Sequence, residues 1–403
     1  MFFRPGHIGI DLLKSTSDVS KNTDKTNVYE TTNVDISQFE EYLLTKNEAD
    51  YEGIWEILGE KYKMGIKKEG VNYIGFIIES YVNKSHIVKM KLEQYDDKVK
   101  SILYTHDHTP VESEEPAFIG KNYMQIGQYI FKRMYSAFPS DTLDLTVERY
   151  FKSISSPFAY MEELNATTLY LRIPSFKIEY KYIIDKMLAD YKEEILKTDN
   201  LIIDLRNNGG GIPRSYIELI PFLYTNPIQA TNVEYLSSKL NNRTFLEYTH
   251  AKKHCGFYHG KDSRQSARIV YNKLKKRKYG EFISLDDENF HIIEIDTVHE
   301  YPKNVGIIIN KRCASTTEDF LFVAQQSNKV KLFGEATRGA FDTSSVTCVE
   351  SPCKEFRLWY CMSRNMCISE YAIDNIGMQP DYYIDKTIPQ YEWVEFVNEI
   401  INQ

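Results

Sequence analysis

The sequence predicts an α/β protein with a small antiparallel β module ahead of its main core, and three observations carry that prediction. Beyond residue 166, near-continuous apolar strands alternate with amphipathic helices, the pattern of a mixed or parallel sheet covered by helices. From 51 to about 108 the segments are short, alternating and broken by Gly, Asn and Asp, as in an antiparallel sandwich or barrel. Two strands run through a tight polar turn straight into a helix, after Asp204 and around Ser315, the place where α/β folds build ligand sites.

In chain order, residues 1–46 are an N-terminal segment, polar from 11 to 46 except for a short helical patch at ISQFEEYLL. Residues 47–112 hold the β module, with YEGIWEIL, YKMGIKK, YIGFIIES, HIVKMKLEQY and KSILYTH as its strands. Residues 113–165 are predicted to be a mainly helical connection, from the apolar spacing in YMQIGQYIFKRMY and LTVERYFKSI. The core spans 166–403: TTLYLRIPSF is a strand, YKYIIDKMLADYKEEILK a helix, NLIIDLR a buried strand, NNGGG a turn and RSYIELIPFLY a helix. The polar, Lys-rich stretch 231–290 is an excursion, after which VGIIIN, the helix following Ser315 and VKLFGEA restore strand, helix, strand. No internal repeat is visible.

A chain of 403 residues implies two or three domains. Its net charge of −8 argues against nucleic acid as a partner, because phosphate binding needs clustered Lys and Arg. No run reaches the roughly 18 apolar residues of a membrane span, and the N-terminus lacks a signal-peptide layout. The six cysteines fall almost entirely in the last third without a CxxC pair; Cys348 with Cys353, or Cys361 with Cys367, are the pairings open to an oxidising compartment.

Ser315 stands where NVGIIINKRCASTTEDF passes from strand to helix. The first N–H groups of that helix lack intrahelical partners and favour an anion, which suits a nucleophilic serine. Ser315-Thr316-Thr317-Glu318 is equally a capping box. In Asp204-Leu205-Arg206-Asn207-Asn208-Gly209-Gly210-Gly211, three glycines allow close backbone approach to a ligand, while neither phosphate-loop pattern is matched. Acyl transfer needs both elements, a nucleophile and N–H donors where the oxyanion forms.

TLYLRIPSF, LIIDLRNNGGG, IIINKRCASTTEDF, LFGEATRGA and DNIGMQPDYYID follow one another in an order and spacing that resembles serine peptidase family 41, the tail-specific, C-terminal-processing and tricorn-type proteases. The resemblance covers about residues 166 to 386 and implies a crotonase-like core of repeated strand–strand–helix units. It implies Ser315 as nucleophile, oxyanion donors from Thr316 and from Gly210 with Gly209, and no cofactor. Many relatives use a lysine base some 25 residues past the serine, but Ala340 occupies that place, and the Arg338 guanidinium cannot accept a proton. The tricorn-like branch uses histidine oriented by a carboxylate. Phe2-Phe3-Arg4-Pro5-Gly6-His7 resembles its histidine element, with Pro5 in place of an acid, and Asp374 before Asn375-Ile376-Gly377 resembles its acid. His7 is then the base and Asp374 the orienting acid, with Glu370 as the alternative acid and His106 or His108 as alternative bases. The resemblance also implies a protein or peptide substrate and an exported, envelope location, and the upstream helical segment common in relatives is expected to be absent.

Two other constellations compete. His106-Asp107-His108 has the spacing of a zinc pair but no recognisable third ligand. His250, His254, Cys255 and His259 cluster among Lys252, Lys253 and Lys261, which reads as a solvated polar face rather than a metal site. The rival functions are an inactive ligand- or peptide-binding protein on the same scaffold, as in retinoid carriers, and a glycan-binding envelope protein using a Tyr-rich β module.

Overall fold

The computed structural model describes residues 9–12, 30–46, 50–58, 62–80, 86–95, 98–105, 108–113, 115–127, 129–134, 142–255, 257–258 and 260–403. The chain divides into two compact units, one of residues 23–156 with 389–392, the other of 1–22, 157–388 and 393–403.

The first unit holds, among the described residues, a nine-stranded antiparallel sheet. Five strands follow one another as a meander from Tyr62–Glu69 to Pro110–Ser113, and Gly53–Ile57 joins them to Tyr129–Met134, Tyr123–Ile126 and Ala117–Ile119. Alternation puts Trp55, Met64, Ile66, Met90, Leu92 and Phe131 into one core. Helix Ile36–Leu44, the predicted ISQFEEYLL patch, covers Phe76 with Phe39. The expectation of helix across 117–134 is overturned: Tyr123–Ile126 and Tyr129–Met134 are paired strands. The apolar spacing of YMQIGQYIFKRMY fits both periods, and Gly127, at φ +56 in the connecting turn, breaks a helix and favours the hairpin. Among the described residues of this stretch, helix forms over Thr142–Ser155, where Val147 and Phe151 pack on Ile119, Tyr123 and Ile130.

The second unit is a mixed α/β structure. Its six-stranded sheet runs Tyr160–Asn165, Thr168–Arg172, Asn200–Asp204, Asn304–Ile309, Val330–Gly334, Tyr382–Tyr383, all parallel except the first pair. These strands read as continuous apolar runs because both faces are covered. Leu169, Leu171, Leu201, Ile203, Val305, Ile307 and Leu332 pack toward helices Ile178–Asp190 and Thr316–Ala324. Tyr170, Ile202, Ile308 and Phe333 pack toward Trp393, Val394 and Val397 of the C-terminal helix Trp393–Ile401. RSYIELIPFLY forms two short 3-10 turns and one helical turn, with Pro213 opening the first and Pro221 at the start of the last.

The stretch 231–290 is woven into a second sheet, contrary to its reading as a polar excursion. Val233–Leu236 pairs with Phe282–Ser284 and with the long strand Phe356–Asn365, which also pairs with Gly9–Leu12 and Thr343–Glu350. Its two helices are amphipathic and bury Phe245, Tyr248, Ala267, Val270 and Leu274 on Ile283 and Met362. Neither anticipated cysteine pair forms. Cys348 bonds Cys255, 93 positions earlier, with Cα atoms 5.8 Å apart, and Cys353, Cys361 and Cys367 are free. Strand pairing sets Cys348 opposite Trp359 and Cys361 opposite Val346.

A buried ionic cluster fixes the end of the central strand. Burial would push the Asp204 carboxyl up, but the Arg206 guanidinium at 2.7 Å and that of Arg172 at 3.8 Å hold it at about 2. Tyr170 adds a hydroxyl at 2.8 Å, and Arg172 braces the turn by donating to the carbonyls of Asp204 and Arg206 at 2.8 and 2.7 Å. Because the folded value lies below the unfolded value of about 3.9, this stabilisation is complete above that pH and is lost as pH falls through about 2. Asp204→Asn, which leaves two buried guanidiniums underpaired, is expected to cost about 3–5 kcal/mol in urea unfolding at pH 7 and to flatten the acid limb of the stability profile.

Candidate active site

Strands Asn200–Asp204 and Asn304–Ile309 are parallel neighbours, so the turns leaving their C-terminal ends emerge side by side. Asn207 and Asn310 lace those turns together, each bonding the other at 3.0 Å. The Asn208 carbonyl accepts the Ala314 N–H at 3.2 Å and the Thr317 hydroxyl at 2.9 Å. Buried Cys313 donates to the Leu205 carbonyl at 3.1 Å; burial pushes its thiol up to about 12, which suits a donor and not a nucleophile. Tyr216 donates to Asp319 at 2.6 Å, tying the segment after the glycine loop to the helix after Ser315.

At the junction Ser315 sits at φ 58, ψ −122. That is the first central position of a type II′ turn, which favours glycine, so a serine there stores strain. The same strained strand-to-helix turn is how nucleophile elbows expose a hydroxyl. Glu318 restrains it. Its fully buried carboxylate accepts the Ser315 N–H at 2.9 Å, the return half of the predicted capping box, and also the Thr337 hydroxyl at 2.5 Å and the N–H groups of Gly339 and Ala340 at 2.7 and 2.9 Å. Burial raises its pKa, and these four donors oppose the rise.

Gly210 packs against the same junction at φ +96. A Cβ placed on it would lie 2.7 Å from the Ala314 oxygen and 2.8 Å from the Thr316 nitrogen, so the loop closes on the turn only as glycine. The Gly210 N–H donates to Asn208 Oδ1 at 3.0 Å. Gly209 is exposed, and among the described residues its N–H has no acceptor. Thr316 opens the helix, so its N–H has no intrahelical acceptor.

Asp374 is buried, and its Oδ1 accepts the N–H groups of Phe341 and Asp342, both at 2.8 Å. Four consecutive amides, Gly339 to Asp342, therefore end on two buried carboxylates, Glu318 and Asp374. Asp342 bonds back to the Ile373 N–H at 2.9 Å, which fixes the loop carrying Asp374.

The sequence pattern of Peptidase family S41 matches residues 167–384, which contain the glycine loop, the Ser315 turn and Asp374. The chain belongs to peptidase family S41. No curated protein matches it. Among solved structures it is similar to a putative peptidase from Parabacteroides merdae, at 16% identity over 68% of this chain and 75% of the other, with a TM-score of 0.42. It is similar to mature CPAF complexed with lactacystin, at 13% identity over 87% and 84%, TM-score 0.44. It is also similar to the photosystem II D1 C-terminal processing protease, at 12% identity over 89% and 78%, TM-score 0.36.

In this S41 serine peptidase, Gly210 packs on the Ser315–Thr316 junction, and Asp374 is linked to that junction through the 339–342 amides and Glu318. Glu370 does not join it; it is exposed at the end of a 3-10 turn. His7 and His106 lie outside the described residues. His108 belongs to the unit of residues 23–156, at φ 66 beside the Tyr104 ring. Ala340 is buried, with its N–H on Glu318. Sequence reasoning missed the wider role of Glu318, which it read as a cap alone; Thr337, Gly339 and Ala340 lie 19 to 22 positions away and carry no acid-binding signature. Glu318→Gln turns an acceptor into an N–H₂ group facing N–H donors. It is expected to destabilise the fold by about 3 kcal/mol in chemical denaturation, and Glu318→Asp by less.

Proposed function

We propose that this S41 peptidase is an endopeptidase acting on proteins or peptides through an acyl-enzyme, on a crotonase-like core of repeated strand–strand–helix units. Ser315 attacks the scissile carbonyl. His7 takes the hydroxyl proton and returns it to the leaving amine, Asp374 orients the imidazole, and water then releases the acyl group under the same base. The oxyanion is held by the N–H groups of Thr316 and of the glycine loop, with Gly209 preferred as donor and Gly210 as the residue that lets the loop close. The observation that carries this reading is the strained Ser315 turn, pressed against a glycine loop and braced by Glu318.

The strand beginning two residues after His7 supports its role. Gly9–Leu12 pairs with Phe356–Asn365, whose hairpin partner Thr343–Glu350 leaves directly from Asp342, and the Asp342 N–H is bonded to Asp374. Lysine is not available as base, because Ala340 occupies its place. An imidazole is the side chain suited to accept a proton and return it near neutral pH.

A fluorophosphonate is expected to form one covalent adduct, mapped to Ser315 by peptide mass spectrometry and absent from Ser315→Ala. His7→Ala is expected to slow labelling by about 10³–10⁴-fold with the thermal unfolding midpoint retained. An unlabelled wild-type chain, folded by circular dichroism, overturns the proposal. The labelling rate should rise with pH as the base deprotonates, and His7→Ala should remove that dependence.

A further inference from the structure

His254, Cys255 and Cys348 meet on the unit that carries Ser315, in a place the peptidase chemistry does not use. One donor atom from each, an imidazole nitrogen and two sulfurs, lies within 4.8 Å of the others. Cys348 is buried on strand Thr343–Glu350, and His254 and Cys255 are half-buried midway along the 231–290 stretch. The remaining imidazole environment is also built. His254 Nδ1 lies 3.8 Å from Glu247 Oε2, Nε2 faces the Cys348 carbonyl at 3.4 Å and has to turn from it to meet a metal, and the ring packs edge-on against Tyr248 at 5.1 Å. A carboxylate behind a histidine is the usual support for a metal-bound imidazole, because it fixes tautomer and ring direction.

We propose that, when the Cys255–Cys348 disulfide is reduced, these three side chains form a site for a borderline-soft cation, with Zn²⁺ as the best fit. Two thiolates and one imidazole are a donor set that zinc takes tetrahedrally, with water in the fourth position. The chemistry balances. An external dithiol supplies two electrons and two protons and becomes its own disulfide, the S–S bond of Cys255–Cys348 opens to two thiols, and zinc binding releases those two protons to solvent. Two thiolates with Glu247 alongside outweigh the exposed Lys252 and Lys253, whose charge is screened by water. The sequence sets His254 and Cys255 among lysines and so reads as a solvated polar face; the third ligand, 93 positions from Cys255, shows only in the fold. The same atoms thus make either a cross-link or a metal site, according to compartment, and in both states they fasten the insertion to the strand that begins just after Asp342. This inference is independent of the role given to Ser315.

The test uses the full chain, reduced with a phosphine that is removed before Co²⁺ alone is titrated in, with folding followed by circular dichroism. Expected is one thiolate-to-cobalt charge-transfer band per chain, displaced by Zn²⁺ and absent from the oxidised chain. Cys255→Ser and Cys348→Ser should abolish it, His254→Ala should weaken cobalt binding at least tenfold, and Glu247→Gln should weaken it by about 10- to 100-fold. Cys353→Ser should change nothing. The proposal is overturned if the folded, reduced wild-type chain gives no band, if the band survives Cys255→Ser or Cys348→Ser, or if His254→Ala binds cobalt as tightly as wild type.

Discussion

One buried carboxylate holds the reactive end of this molecule together. Glu318 belongs to the first turn of the helix after Ser315, where the helix dipole and unpaired amides favour negative charge. Its oxygens are shared among donors from two separate stretches of chain. A buried charge is costly unless its hydrogen bonds are made, so the 337–340 loop cannot drift from the helix without exposing that cost. The same bond set keeps Ser315 in a backbone conformation it would not adopt unaided. Strain at the serine and satisfaction at the glutamate are two sides of one arrangement.

Around that hub the architecture is conventional. A parallel sheet with both faces covered brings the ends of adjacent strands together, and the glycine loop and serine turn are the two ends that matter. The Asp204–Arg206–Arg172 cluster stiffens the strand behind the glycine loop, while the paired asparagines Asn207 and Asn310 hold the two turns at a fixed separation. Asp374 reaches the same region through Phe341 and Asp342, so the loop 337–342 is shared property of two carboxylates from different parts of the chain.

Much of this was legible in the sequence where the signal is local. Apolar runs announced the sheet, and the NNGGG turn and the Ser315 junction announced the two turns. Legibility failed where pairing is distant or the period is ambiguous. YMQIGQYIFKRMY satisfied a helical spacing until Gly127 and a partner at Gly53–Ile57 decided for strand. The 231–290 stretch looked polar because only one face of each helix is buried. Glu318 looked like a cap, since nothing in GEATRGA says that its amides need an acceptor. The disulfide was invisible for the same reason, its halves lying in separate elements.

The strand Gly9–Leu12 has a consequence in time. It pairs with residues 356–359, far later in the chain, so the sheet that receives it does not exist until those residues too have left the ribosome. By then the Ser315 turn and its glycine loop have already been synthesised. The serine turn and its glycine loop are therefore made before the strand that opens the chain can find its place, so the first residues synthesised in this unit are among the last to be paired.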